Sequence, residues 1–371
     1  MFENVKKNFG FGCMRLPMNG KEVDYGLVNQ MVDTFIENGF NYFDTAHGYV
    51  SELSEVAVRK CLVERYSRDS FFLVDKLTHH YIKKEEDIVP FFENQLKTCG
   101  VDYFDLYLMH AQGANNYPFM KQIHAYEIVN EFKKQGRIKH FGISFHDKPE
   151  VLDLILNEHP EIECVQIQLN YMDYDDEAIQ SRKVLEVCRK HNRPAIIMEP
   201  VKGGSLVNLP NKGNEILAAL KGGSNASYAL RFAAGCDGVA MVLSGMSNMD
   251  QLMDNINTFK EFRPLDECEQ KAIHEVIDSI NELNLIPCTA CRYCVDGCPK
   301  KINIPELFAC LNSKKIYHSW NTDFYYNSVV TKYAGKAMDC IQCGKCENAC
   351  PQHLSIRELL VQVAEEFEIK K

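Results

Sequence analysis

Residues 38–49 read NGFNYFDTAHGY. A short β-rich run, Asn41–Thr45, ends near a carboxylate, Asp44, and a tyrosine, Tyr49, follows five residues later on a loop. The same pattern recurs outward in both directions. Further β-rich runs occur at Phe9–Leu16, Phe71–Lys76, Tyr103–His110, Arg137–Ser144, Cys164–Asn170, Ala195–Pro200 and Val239–Ser244. Segments with helical apolar spacing lie between them, at roughly 24–38, 52–65, 85–99, 121–135, 149–157, 176–191, 224–234 and 248–260. Val28, Met31, Val32, Phe35 and Ile36 illustrate the three- and four-residue spacing. Eight strand–helix pairs in about 260 residues match the length of a closed parallel barrel. An open doubly wound sheet shows the same alternation, so periodicity leaves both architectures standing.

Composition narrows the function classes. The chain has 371 residues, 46% hydrophobic and 25% charged, which is ordinary for a globular protein and excludes disorder. Its formal charge is −10, with no basic block, which argues against a nucleic-acid binder. The N-terminus lacks the apolar run of a secretory signal, and no apolar stretch approaches 18 residues, so a cytoplasmic chain without membrane spans is expected. Sixteen cysteines are anomalous in a reducing compartment and point to metal rather than disulfides. Eight are scattered (Cys13, Cys61, Cys99, Cys164, Cys188, Cys236, Cys268 and Cys310) and read as small buried apolar residues.

The other eight form an internal repeat. Cys288–Leu307 reads CTACRYCVDGCPKKINIPEL and Cys340–Leu359 reads CIQCGKCENACPQHLSIREL. Both copies carry C-x2-C-x2-C-x3-C-P, the spacing of bacterial ferredoxins with 4Fe–4S clusters. Three cysteines at two-residue gaps wrap three corners of one cube. The fourth is carried away by the following turn and reaches the other cube. Cys288, Cys291, Cys294 and Cys350 are therefore expected on one cluster, and Cys340, Cys343, Cys346 and Cys298 on the second. Pro299 and Pro351 stiffen the turns. Ser355 with Glu358, and Asn303 with Glu306, predict capping boxes on the helices that follow. Zinc, held by four ligands, leaves cysteines unexplained. The expected organisation is a barrel over 1–263, a connecting helix within 264–287 (Asp266–Leu283) and a cluster domain over 288–371. The aromatic stretch between Cys310 and Cys340 (Tyr317, Trp320, Phe324, Tyr325, Tyr326 and Tyr333) reads as packing between the two domains.

Barrels place chemistry at the C-terminal ends of their strands. Those ends carry Asp44, Lys76 and His110, with Tyr49 on the adjoining loop. A lysine beside a tyrosine lowers the phenol's pKa, an aspartate fixes the lysine, and a histidine orients a carbonyl. Together they suit protonation of a developing alkoxide. The loop residues His79, His80, Tyr81, Asn115, Asn116 and Tyr117 are candidates to line a pocket.

NGFNYFDTAHGY, FLVDK and DLYLMH resemble the aldo–keto reductase signature, over roughly residues 9–262. The resemblance implies an α/β fold, a (β/α)8 TIM barrel, followed here by a small α-rich ferredoxin-like domain. It implies that Asp44, Tyr49, Lys76 and His110 are the catalytic tetrad, with Tyr49 as general acid. It implies that Ser144, Gln168 and Asn170 hold a nicotinamide. The loop Glu199–Leu206, with Pro200, Val201, Lys202, Gly203, Gly204 and Leu206, resembles the pyrophosphate grip. Ser244–Asn255, with Ser244, Gly245, Met246, Gln251 and Asn255, resembles the adenosine segment. Gly245, Met246 and Gln251 stand where NADPH-specific members have Lys, Ser and Arg, so NADH is implied as readily as NADPH. With its tail the chain looks like the ferredoxin-fused aldo–keto reductases of anaerobic prokaryotes.

Three functions follow. The first is an NAD(P)H-dependent carbonyl reductase with a small-molecule substrate, whose two 4Fe–4S clusters are structural or meet a redox partner protein. The second is a reductase whose clusters feed electrons to FMN or to the substrate itself in the barrel mouth. The third is a redox-sensing binding module with a non-catalytic barrel.

Overall fold

The computed structural model describes every residue except 1, 4, 177–178, 318–320 and 370–371. Eight strands form one sheet: β1 Phe9–Gly12, β2 Tyr42–Asp44, β3 Phe72–Leu77, β4 Phe104–Gln112, β5 Ile138–Phe145, β6 Cys164–Gln168, β7 Ala195–Met198 and β8 Val239–Gly245. Each pairs in parallel with its neighbours in sequence, and β1 pairs with both β8 and β2, so the sheet closes. Closure decides for the barrel over the open sheet. Helices alternate with the strands. The segment expected at 52–65 splits into Ser54–Val58 and a wider π turn at Arg59–Val63. The segment at 121–135 starts at Ala125, preceded by a separate Tyr117–Gln122 helix, and the one at 176–191 starts at Ser181.

Side chains alternate between the two faces of a strand, so each strand feeds the barrel interior at every second residue. Tyr42, Phe72, Val74, Leu106, Leu108, Cys164, Ile196, Met241 and Leu243 form one buried cluster there. Two residues after Tyr42, Val74, Leu108 and Cys164 come Asp44, Lys76, His110 and Gln166, all buried. The apolar filling thus gives way to polar groups at the C-terminal end. Gly142 of β5 makes room in this interior. A Cβ there would lie 2.6 Å from Cys164 Sγ and 2.8 Å from Leu108 Cδ2.

The chain divides into two compact units, residues 1–200 with 226–265, and residues 201–225 with 266–371. The 201–225 segment was expected with the barrel. Within the second unit, helix Asn211–Leu220 lies against Glu267–Asn281. Gly213 faces Ser279 Oγ, and Lys212 pairs with Glu282 at 2.9 Å. Asp266 and Glu269 form the capping box of the second of these helices.

The cysteine repeat builds two similar halves. Short helices at Tyr293–Asp296 and Lys345–Asn348 precede the longer Ile304–Tyr317 and Ile356–Phe367. Ile302, Ile304, Leu307, Phe308, Ile356 and Leu360 form their shared core. At the second of these longer helices the expected capping box does not form. Ser355 makes no side-chain cap, and Glu347 accepts from Arg357 N at 2.8 Å. Asn303 and Glu306 both accept from Arg292. Each helix start is thereby tied to the cysteine loop before it.

Other expectations are corrected by exposure. Six of the eight scattered cysteines are buried, but Cys236 is half-buried and Cys268 is exposed at the surface of its helix. Tyr326 is buried and stacks on Phe367 at 4.4 Å, within the tail itself. Phe324, Tyr325 and Tyr333 are exposed rather than packed. Trp320 and the Tyr317 side chain lie outside what is described.

Overpacking a filled core costs about 1–3 kcal/mol. Gly142→Ala is expected to lower unfolding free energy by about that amount, and Cys164→Ala in the same chain should recover part of it. Denaturant titration of the single and double variants measures both.

Candidate functional site

The polar end of the barrel is organised around Lys76. Its side chain is fully buried, and Nζ donates to Asp44 Oδ1 at 2.6 Å and to the Thr45 carbonyl at 2.7 Å. Gln166 Nε2 donates to the other Asp44 oxygen at 2.9 Å. Lys76 Nζ also lies 4.8 Å from the centroid of the Tyr49 ring, and that ring meets His110 edge-on at 5.9 Å. The four residues named from sequence therefore converge. Tyr49 heads a strained loop, since Val50, Ser51 and Glu52 all have left-handed backbone (φ 54°, 53° and 67°).

The electrostatics differ from expectation at one point. Burial, followed by Asp44, Asp75, Cys13 and Glu199, pushes the Tyr49 phenol well above the usual tyrosine range. Lys76 was expected to lower it. Lys76 is bonded to Asp44 at 2.6 Å, and at the phenol burial and the Asp44 charge outweigh it. His110 is held well below its ordinary value, by burial first and then by Lys76, so its ring is neutral. Thr78 Oγ1 lies 2.7 Å from His110 Nδ1. A hydroxyl donating to Nδ1 leaves the ring proton on Nε2, the tautomer able to donate to a carbonyl oxygen. A bulge after His110 turns the strand end. Ala111 takes φ 51°, and its amide donates to Ser144 Oγ at 2.7 Å.

Of the nicotinamide candidates, Ser144 is buried at the end of β5. Gln168 and Asn170 are held elsewhere. Both donate to Asp173 Oδ2, at 2.7 and 2.6 Å, and Asn170 Oδ1 accepts from the Met172 and Asp173 amides. Asn170 lies beyond the end of β6 and builds a turn. Gln166, bonded to Asp44, was missed. Strand alternation carries its signal, because Cys164, Gln166 and Gln168 share one face.

In the adenosine segment, Ser244 and Asn255 bond to each other at 3.0 Å, and Met246 is buried. Asn248 caps helix Met249–Lys260, and Gln251 accepts from Ser247 N at 2.8 Å. Gly245, Met246 and Gln251 carry no charge, but the Arg15 side-chain stem packs beside Gly245. Arg15 is a cation that the sequence comparison did not single out. The loop candidates Pro200–Leu206 make a turn with Gly203 and Gly204 at φ 63° and 99°. Lys202 and Leu206 are buried there.

Among the loop residues, His79 bonds Asn116 at 3.2 Å and stacks near His80 at 3.9 Å. Burial and His80 bring His79 down to about 4, so it is neutral. Tyr81 reaches Glu52, and Tyr117 is buried with its hydroxyl on Glu158.

In the second unit the cysteines surround two cavities. Cys288, Cys291, Cys294 and Cys350 line one. Cys298, Cys340, Cys343 and Cys346 line the other. Each cavity thus takes three cysteines from one copy of the repeat and one from the other. Among the described residues no three His, Cys, Asp or Glu side chains group tightly enough to hold a single ion. Four thiols spread around a cavity fit a cube with an iron at each corner, not a mononuclear site. Burial pushes the Cys346 thiol up to about 11.

The model of the aldo/keto reductase family matches residues 8–278. The chain belongs to the aldo/keto reductase family. Residues 287–355 match the 4Fe-4S dicluster domain, which supports iron–sulfur clusters in this family member. "Protein REDOX 2" of Catharanthus roseus is 27% identical over 266 residues, 65% of this chain and 77% of that protein. The NADH-specific methylglyoxal reductase of Escherichia coli is 25% identical over 197 residues, 47% of this chain and 57% of that one. A Klebsiella pneumoniae aldo-keto reductase solved in complex with NADPH superimposes with a TM-score of 0.60 at 18% identity, covering 73% of this chain and 90% of that one. That likeness concerns the fold. These findings support an oxidoreductase, and none supports the FMN considered from the sequence. Among the described residues of this reductase no helix is long and apolar enough to cross a membrane.

Thr78→Val removes the partner of His110 Nδ1. In carbonyl-reduction assays this variant should lose about tenfold in kcat/KM, equivalent to about 1.4 kcal/mol of transition-state stabilisation, with its folding cooperativity retained.

Proposed function

We propose that the barrel reduces a small-molecule carbonyl with a hydride from NAD(P)H, and that Tyr49 is the general acid. The observation that carries this reading is the convergence of Tyr49, His110 and the buried Lys76–Asp44 pair at the barrel's polar end. The dinucleotide, once bound, supplies the hydride to the carbonyl carbon. His110 Nε2 orients the carbonyl oxygen. Tyr49 keeps its proton across the neutral range, because its pKa is raised, and releases it only as negative charge builds on that oxygen. Lys76 steadies the phenolate that remains, and Asp44 fixes Lys76 in place. Water then returns the proton to Tyr49.

Ser144 and Gln166 are the side chains we assign to the nicotinamide end. Arg15 and the Ser244–Asn255 segment are assigned to the adenosine and its phosphates. Names of relatives refer to both NADH and NADPH, and this chain's own residues favour neither. We assign Cys288, Cys291, Cys294 and Cys350 to one 4Fe–4S cluster, and Cys298, Cys340, Cys343 and Cys346 to the other. The bound clusters supply one-electron chemistry to the 288–371 region.

Tyr49→Phe should abolish carbonyl reduction, a loss of at least about 10²-fold, while dinucleotide binding and iron content stay at wild-type levels. Normal turnover in that variant rejects the assignment. Because Tyr49 holds its proton above the ordinary tyrosine range, the reduction rate should show no loss attributable to its deprotonation up to about pH 10. Cys291→Ser tests the clusters: iron content and visible absorption should fall, and unaltered values reject its role as a ligand.

A further inference from the structure

The two cysteine-lined cavities differ at their rims. The first is bordered by buried Thr289, Pro305, Phe308 and Gln352 and by exposed Arg292, which pairs with Glu306. The second opens among exposed residues. Cys343 is itself exposed, Ile341 is 56% exposed, and Met338, two residues before Cys340, is 63% exposed. Lys300 and Lys345 line this cavity and are exposed. The 335–336 segment runs alongside, since Gly335 bridges Ile302 and its amide donates to Lys301 O, which brings exposed Lys336 to the same rim. The nearby carboxylates are engaged. Asp339 accepts from the Lys336 backbone amide, and Glu347 pairs with Arg357. The result is an apolar centre within a basic rim.

This rim is unlike the rest of the chain. The whole sequence has 41 Lys and Arg against 51 Asp and Glu, whereas residues 288–371 have 11 against 9. An acidic macromolecule is repelled by the chain at large and attracted at this rim, which is electrostatic steering to one face. A small apolar centre with a charged surround is also the build of transient electron-transfer interfaces, which are small and short-lived.

We propose that this face docks a small acidic one-electron carrier protein, and that the Cys298–Cys340–Cys343–Cys346 centre is the port through which electrons pass. The step moves one electron. The reduced carrier is oxidised by one unit, one cluster goes from the 2+ to the 1+ state, and no bond or proton changes place. Electron transfer falls steeply with distance, so the centre with an exposed cysteine is the one a carrier can approach closely. The first centre, whose four cysteines are buried or half-buried, is then the second acceptor. The inference rests on the cluster ligands assigned above and is independent of the Tyr49 chemistry.

The test uses anaerobic holoprotein, with reduced plant-type [2Fe–2S] ferredoxin as the acidic probe. Low-temperature EPR of freeze-quenched mixtures follows reduction of the 4Fe–4S clusters. Lys300→Glu with Lys345→Glu should slow reduction by about tenfold or more. The wild-type rate should also fall steeply between about 50 and 500 mM salt. Iron content and the extent of reduction by dithionite should be unchanged. Lys336→Glu, further from the cysteines, should slow the reaction by a smaller factor, and it serves if the double variant fails to load clusters. A carrier rate indifferent to salt and to Lys336→Glu overturns the proposal. So does retention of a single-stranded oligonucleotide through these lysines with carrier exchange unaffected. Tyr49→Phe holoprotein should exchange electrons at the wild-type rate, so failure here and failure of the carbonyl reading are distinguishable.

Discussion

A lysine with no solvent exposure, bonded to a carboxylate at 2.6 Å, sets the terms for the barrel's polar end. Removing an ammonium and a carboxylate from water costs several kcal/mol each, and their attraction offsets this only where geometry and further hydrogen bonds are good. Those conditions are met. Thr45 O takes a second Lys76 proton, and Gln166 satisfies the second Asp44 oxygen. The contributing groups come from β2, β3 and β6, which a closed sheet brings around one interior and an open sheet does not. Loss of either partner leaves a buried charge, at a cost of about 3–5 kcal/mol. Tyr49 is not acidified, because its burial first, and the Asp44 charge second, outweigh the lysine beside it.

Much of this was legible because strand periodicity is rigid. A residue two positions after an interior apolar residue must also face the interior, so Asp44, Lys76 and His110 could be placed from their strands. Gln168 was named from the resemblance of QLNY, and the same alternation also places Gln166 on the interior face. No local signal separates two glutamines on one face. What separates them is where the strand ends, and β6 ends at Gln168. Asn170 then enters a turn whose hydrogen bonds consume its side chain. The second capping box failed for a related reason. Sequence spacing identified residues able to cap, but Glu347 competes for that helix start from the preceding loop, and such competition is tertiary.

The packing partner of 201–225 was also beyond the sequence. Its turn residues match a loop of the barrel, yet its helix Asn211–Leu220 packs on Glu267–Asn281. Neither pattern nor propensity specifies which neighbour an amphipathic helix buries its face against. The cysteine repeat was the opposite case. There, fixed spacing and the geometry of a cube constrain which thiols can meet, and the two cavities gather the same sets of four.

The crossing of Cys298 and Cys350 between the halves bears on how the protein matures. A region of 84 residues has a modest apolar core, and small cores of this kind gain most from added cross-links. With the ligands assigned as above, neither half owns a complete set. Building the first cube fixes Cys350, which shortens the search of Cys340, Cys343 and Cys346 for their own iron, and the reverse holds as well. Under that assignment assembly would be concerted, with a short-lived half-loaded intermediate. A chain starved of iron should accumulate empty molecules beside full ones, with few between.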